Sequence, residues 1–192
     1  MKIIPGRGVV EARNIAAKQA LEVNAKYLLF LDDDVLLPHK TLVRFLELME
    51  NNDDWDVLTG IVPTKTDNAP PCIFKAGHPG PFWDWEFNTQ FEIDLCGMAC
   101  CMIRTSVLRR VGEPWFEWYR ESQQGANAEE GEDVGFCRRV KEAGGTIVAD
   151  GGVLCGHIDR DTGKVYCVDT KDRKPFRSEA AREALGQVGV GV

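Results

Sequence analysis

From Val9 to Val23 the apolar residues Val9, Ala12, Ile15, Ala16, Ala20 and Val23 recur at steps of three and four, which predicts one face of an amphipathic helix. Gly6 and Gly8 supply the turn before it. The next apolar stretch, Tyr27 to Leu31, is continuous and ends abruptly in Asp32-Asp33-Asp34. A short run of this kind reads as a strand buried on both faces, and such strands belong mainly to parallel sheets. Pro38 opens a second predicted helix, with Leu42, Phe45, Leu46 and Met49 on its inner face, and Trp55 to Val62 reads as a further strand closed by Pro63.

Between Thr64 and Gln90 the pattern breaks down into a proline-rich segment with a short strand at Cys72 to Phe74, and long loops of this kind inside a domain tend to be functional. Strand-like sequence returns from Phe91 to Arg104, interrupted by Gly97. Thr105 then caps a short helix that Gly112 ends. Trp115 to Glu130 reads as a loop, and Glu132 to Ala143 as a helix stopped by Gly144-Gly145. Two short strands, Thr146 to Ala149 and Val153 to Cys155, precede a hairpin turn at Asp161 to Lys164. Alternating helices and strands predict an α/β fold with a mostly parallel central sheet flanked by helices, in a single domain over residues 1–170 with a charged tail at 171–192.

Composition narrows the function. Lys and Arg number 23 against 30 Asp and Glu, a net charge of -7, which argues against nucleic acid as a partner. An acidic chain that handles phosphates needs local cations, and a divalent metal is the obvious source. No apolar stretch is long enough to span a membrane, and MKIIPGRG has neither the apolar core nor the cleavage site of a secretory signal. The seven cysteines, an odd count within apolar segments, point to free thiols in a reducing compartment and a cytoplasmic location.

Three constellations carry chemistry. Asp32, Asp33 and Asp34 repel one another unless a cation sits among them, and they occupy the strand end where open α/β sheets bind ligands. Asp32 and Asp34 share a face in an extended turn, so one can take a hard divalent ion and the other a ribose hydroxyl; the alternative is a solvated acidic loop. Gly131-Glu132-Asp133 opens a helix, where acids either stabilise the helix end or, for Asp133, act as a general base. His157 after Cys155-Gly156 is either structural or a neutral imidazole ligand beside Asp34. Trp83, Trp85, Trp115 and Trp118 suit a sugar-stacking surface or anchors for the long loops equally well.

Together these residues resemble the GT-A class of nucleotide-sugar-dependent glycosyltransferases, most closely glycosyltransferase family 2. The resemblance is an ordered set: Ala12-Arg13-Asn14, the strand ending in the DxD motif Asp32-Asp33-Asp34, Leu95-Cys96-Gly97-Met98, Pro114-Trp115-Phe116, Gly131-Glu132-Asp133 and the distal His157. It implies a GT-A fold and transfer of a hexosyl or N-acetylhexosaminyl group from a UDP- or GDP-linked donor to a hydroxyl on a glycan, lipid or protein, inversion being favoured. It implies Asp34 and His157 as ligands of Mn2+ or Mg2+, with Asp32 or Asp33 near the ribose, and Arg13 at the nucleotide. It also implies Gly97 and Met98 at the sugar, Glu132 at an acceptor hydroxyl, and Asp133 as the catalytic base. Family members begin with a strand, helix and strand around the nucleobase. Here the Ala12-Arg13-Asn14 helix lies close to Met1, so about 60–80 residues of that half are expected to be absent, with Met1 to Pro5 supplying one short strand at most. A second copy or another chain is then expected over the exposed sheet edge. Two other functions compete: a noncatalytic remnant acting as a binding or assembly module, and a metal-dependent nucleotidyl or phosphoryl transferase. The second lacks a Gly-rich phosphate loop with its Lys.

Overall fold

Two-residue alternation along three neighbouring strands sorts the core into two layers. The computed structural model describes residues 8–120 and 129–168. In chain order the elements are α1 (Val9–Glu22), β1 (Tyr27–Leu31), β2 (Val35–Leu36), α2 (Thr41–Asn51), β3 (Val57–Ile61), β4 (Ile73–Phe74), β5 (Gln90–Ile93) and β6 (Leu95–Cys96). They continue with β7 (Cys100–Arg104), α3 (Thr105–Val111), β8 (Tyr119–Arg120), β9 (Glu129–Glu130), α4 (Glu132–Glu142), β10 (Ile147–Leu154), β11 (Gly156–Ile158) and β12 (Val165–Cys167). Val57 and Ile61, Cys101 and Ile103, and Ile147 and Ala149 point to one face, where Ala17 of α1, Val107 and Leu108 of α3, and Phe136 and Val140 of α4 cover them. Leu58, Cys100, Met102 and Val148 point to the other, under Phe45 and Met49 of α2. Each such large apolar side chain, fully buried, contributes about 1.5–3 kcal/mol relative to exposure.

The central sheet has the order β1-β7-β3-β10-β5. β1, β3 and β10 run in one direction, as the α/β pattern predicts. β7 and β5 run against them, so β3–β10 is the parallel ladder and the sheet is mixed. The sequence shows β7 and β5 only as apolar strands. Their direction depends on the long proline-rich connection and on the turn around Gly97, which return the chain to the same sheet edge. A smaller sheet, β12-β11-β2, sits beyond that edge.

Several local expectations need correction. Val9 and Val23 are exposed, and the buried positions of α1 are Arg13, Ala17 and Ala20. The predicted apolar stripe of α1 instead borders an open groove of about 970 Å³ along β1, with Ala12, Ala16, Leu28 and Phe30 in its walls. On α2, Phe45 and Met49 are buried but Leu42 and Leu46 face outward. Thr105 does not cap α3: it is the first helical residue, and its hydroxyl donates to Ala25 O at 2.6 Å. The two short strands expected between Thr146 and Cys155 are one strand, β10, whose register shifts between Asp150 and Leu154. Asp150 there is fully buried and accepts from Arg44 Nε at 2.5 Å and Nη2 at 2.9 Å, which compensates its lost hydration. The turn at Gly6, the Met1 to Pro5 strand, the middle of the Trp115 to Glu130 loop and the tail lie outside the described residues. All seven cysteines are free. Among the described residues no helix is long and apolar enough to cross a membrane.

Candidate active site

The three co-directional strands deliver the chemistry to one sheet edge. The carboxyl end of β1 gives Asp32 to Asp34, that of β3 leads to Pro63, Thr64 and Lys65, and that of β10 leads through Cys155 to His157. β7 runs the opposite way, so its amino end contributes Gly97, Met98 and Ala99 to the same place. This is the crevice that α/β sheets use for ligands. A cavity of about 260 Å³ opens there, bordered by Arg13, Asp32, Lys65, Gly97, Asp133 and His157 among others.

Strand register brings Asp34 and His157 together. In the β11–β2 ladder His157 stands opposite Val35, the residue after Asp34, and Ile158 N–H donates to Asp34 O at 2.8 Å. His157 Nε2 consequently lies 3.4 Å from Asp34 Oδ1. The other ring nitrogen, Nδ1, is 2.8 Å from Pro63 O, an acceptor, so Nδ1 carries a proton and Nε2 is the nitrogen that faces Asp34. An imidazole whose Nδ1 is bound to a backbone carbonyl ligates a metal through Nε2.

Each carboxylate of the triplet has its own cation. Arg13 Nη2 is 3.9 Å from Asp32 Oδ1, Arg160 Nη2 is 2.6 Å from Asp33 Oδ1, and Lys65 Nζ is 2.5 Å from Asp34 Oδ2. The three cations come from α1, the turn after β11 and the loop after β3. Burial pushes the Asp32 carboxyl above the usual carboxylate range, with Arg13 opposing the rise and the neighbouring Asp34 adding to it. Burial also acts to raise Asp34, but the Lys65 hydrogen bond and the His157 and Lys65 charges outweigh it and hold that carboxyl below its usual range.

Arg13 also binds Glu132, and both residues are buried. Its guanidinium therefore ties the DxD triplet to the start of α4. Asn14, the next residue, accepts from Trp115 N–H at 2.9 Å and Phe116 N–H at 3.1 Å and donates to Phe116 O at 2.7 Å. One helix turn thus fixes three motifs that are far apart in sequence. Phe116 in turn packs edge-on against Phe30 and stacks on Phe136, placing the aromatic segment between β1 and α4.

No side chain caps α4, whose cap position is Gly131. Asp133 Oδ1 accepts from Val134 N–H at 2.8 Å, and Oδ2 turns toward Gly97. A Cβ on Gly97 would stand 3.7 Å from that oxygen and 3.1 Å from Cys72 Sγ. The missing side chain keeps space open beside the carboxylate. Cys72 is wall rather than nucleophile, since burial pushes its thiol up to about 11 and the Asp133 charge adds to the rise. Met98 borders the cavity but is only 1% exposed and belongs to the hydrophobic core.

Eight of the nine residues singled out from the sequence (Arg13, Asp32, Asp34, Gly97, Met98, Glu132, Asp133 and His157) border this cavity or touch a residue that does, whereas the Asp33 side chain is exposed and pairs with Arg160 outside it. The tryptophans divide. Trp85 and Trp115 are buried anchors, Trp115 donating from Nε1 to Leu108 O at 2.8 Å, while Trp118 is 55% exposed. Lys65 and Arg160 escaped the sequence reading, because one sits in a loop without periodicity and the other follows a strand end with no motif around it.

The sequence pattern of the family described as Glycosyl transferase family 2 matches residues 4–112. No curated protein matches the chain. Among solved structures it is similar to A197 from STIV, with a TM-score of 0.59 and 22% identity over 85% of this chain and 77% of that one. The mixed α/β sheet, the acidic triplet at its ligand-binding edge and the family match converge: this chain has a GT-A fold and belongs to glycosyltransferase family 2.

Proposed function

We propose that this chain moves a hexosyl or N-acetylhexosaminyl group from a UDP- or GDP-linked sugar to an acceptor hydroxyl on a glycan, lipid or protein, with inversion and with dependence on Mn2+ or Mg2+. One observation carries the reading: Asp133 and His157 border the same cavity, with Asp34 against His157. Glycosyl transfer is the general activity of the family; the metal, the stereochemistry and the donor are our reading.

The donor set suits such an ion. Asp34 offers an ionised carboxylate that already holds the Lys65 ammonium as a stand-in cation, and His157 offers Nε2, the ring nitrogen directed at Asp34. Among the described residues no group of three or more His, Cys, Asp or Glu side chains is arranged to hold a metal. Two protein ligands accord with an ion that keeps waters and takes substrate phosphate oxygens. When bound, the ion supplies Lewis-acid stabilisation of the negative charge on a leaving diphosphate. Asp33 or Asp32 receives the ribose. Arg13, tied to Glu132, orients Asp32 and lies at the nucleotide; Glu132 acts on the acceptor side through that pair. Gly97 and Met98 form the floor for the sugar. Asp133 takes the proton of the acceptor hydroxyl as its oxygen bonds to the anomeric carbon and the bond to the diphosphate breaks.

The free edge of β1 bears on the partner. Among the described residues β1 pairs with β7 alone, and Leu31 at its end is 44% exposed beside the groove along α1. We read this edge as the place where a second copy or another chain completes the sheet.

Incubation with a panel of nucleotide-sugars and Mn2+ tests the function. Nucleoside diphosphate release that disappears on chelation and in Asp34→Ala supports sugar transfer. Failure of calorimetry to detect any nucleotide, with or without metal, supports a noncatalytic module instead, and released pyrophosphate supports nucleotidyl transfer.

A further inference from the structure

Lys65 occupies the position that the proposed reaction needs for another cation. It lies at the base of a loop pinned by the Pro63–Pro71 bridge and by Thr64 N–H donating to Pro70 O at 2.8 Å. That anchoring places residue 65 at the cavity edge, while its side chain remains 32% exposed and has four rotatable bonds. Its ammonium sits 2.5 Å from Asp34 Oδ2, and the opposite oxygen, Oδ1, faces His157. A divalent ion shared by Asp34 and His157 and the Lys65 ammonium therefore compete for one carboxylate. Two cations a few ångströms apart repel strongly in a partly buried site. An ammonium released from Asp34 remains at the mouth of the same cavity, beside the place where a diphosphate would bring new negative charge.

We propose that Lys65 is an exchangeable counter-ion: it neutralises Asp34 in the free chain and moves to the donor's diphosphate when a divalent ion takes Asp34. The inference rests on Asp34 and His157 being the metal ligands. It goes beyond that reading in assigning a phosphate-binding residue and an order to the site, since metal and diphosphate each make room for the other. Metal alone then binds weakly, because it must break the Lys65–Asp34 ion pair and stay close to the displaced ammonium. Metal and diphosphate together bind well, because the displaced ammonium finds a new partner.

Lys65→Met and Lys65→Arg separate this from a merely structural role. Mn2+ binding is followed through the spectrum of the free aquo ion, without nucleotide or catalysis. Binding of the preformed Mn2+–pyrophosphate complex, a probe independent of the nucleobase, is followed by calorimetry. Lys65→Met is expected to bind Mn2+ alone about tenfold more tightly than the natural chain and the Mn2+–pyrophosphate complex about tenfold more weakly, the scale of one charge-assisted hydrogen bond. Lys65→Arg, which keeps the charge, is expected to stay close to the natural chain in both. Equal Mn2+ affinity in the natural chain and Lys65→Met, with binding abolished by Asp34→Ala, overturns the Lys65 proposal and leaves the metal site standing. Mn2+ binding that Asp34→Ala leaves unchanged overturns both. Tighter Mn2+ binding in Lys65→Met with unchanged pyrophosphate affinity overturns the exchange.

Discussion

Arg13 and Glu132 form an ion pair between α1 and the first turn of α4, with side chains only 10% and 9% exposed. The pair joins the helix before the DxD strand to the helix that carries Asp133, so the relative position of the acidic triplet and Asp133 depends on it. Removing one partner leaves the other charged and buried. Arg13→Met is therefore expected to lower stability by about 3–5 kcal/mol. Denaturant unfolding of Arg13→Met, Glu132→Gln and the double variant checks this. The double variant is expected to be less destabilised than the sum of the two single variants. Strict additivity would mean that the two side chains do not interact.

Among the described residues the hydrogen bond to the Asp133 carboxylate comes from its own neighbour's N–H. Asp133→Asn is thus expected to unfold at nearly the same denaturant concentration as the natural chain. Its transfer rate is expected to fall by about 10²–10⁴-fold, the usual contribution of a general base, with donor affinity unchanged. Steady-state rates together with donor titration measure both. Lost donor affinity in this variant would place Asp133 on the donor and not on the acceptor.

Gly97→Ala puts a methyl group 3.1 Å from Cys72 Sγ and 3.7 Å from Asp133 Oδ2. The first contact is a packing problem, and the second tests the role proposed for Asp133. Cys72→Ala combined with Gly97→Ala is expected to relieve the stability loss, about 1–3 kcal/mol for overpacking, while transfer stays depressed. If activity returns together with stability, Gly97 serves packing alone.

The two ends of the acidic triplet respond to pH with opposite signs. Asp34 is held below its ordinary value of 3.8, so it contributes stability that is present above that value and is lost as pH falls through the lower folded one. Asp32 is raised above 3.8, so ionising it costs stability, a cost that sets in as pH rises through that window. At pH 7 Asp34→Asn is expected to be less stable than the natural chain and Asp32→Asn more stable, each by about 1 kcal/mol or less for partly exposed groups. Both differences are expected to vanish in acid, where all forms are neutral. Unfolding curves collected between about pH 2 and pH 7, a span that extends below the range of about 4 in which free carboxyls titrate, compare them.

The site was legible in the sequence where it depended on strand ends. A buried strand that stops at Asp32, and another that stops shortly before His157, place both residues at one sheet edge whatever the exact register. The co-directional strands β1, β3 and β10 were legible for the same reason. Sequence periodicity failed where burial depended on a neighbour: Leu42 and Leu46 keep helical spacing with Phe45 and Met49 but find no covering element among the described residues. The stripe on α1 faces a groove for the same reason, and the buried polar residue there, Arg13, breaks the hydrophobic rule because Glu132 compensates its charge. Lys65 was invisible because a proline-rich loop has no period to place it. Its role comes from a contact with Asp34 made across 31 positions of sequence.

In the proposed reaction Asp34 and His157, 3.4 Å apart, together hold the cation that meets the departing diphosphate. A crystal soaked with Mn2+ and UDP or GDP, with the manganese located by its anomalous scattering, tests this most directly. A manganese peak contacting an Asp34 carboxylate oxygen, His157 Nε2 and the diphosphate oxygens is expected. A nucleoside diphosphate bound in the cavity with its manganese remote from both residues would contradict it.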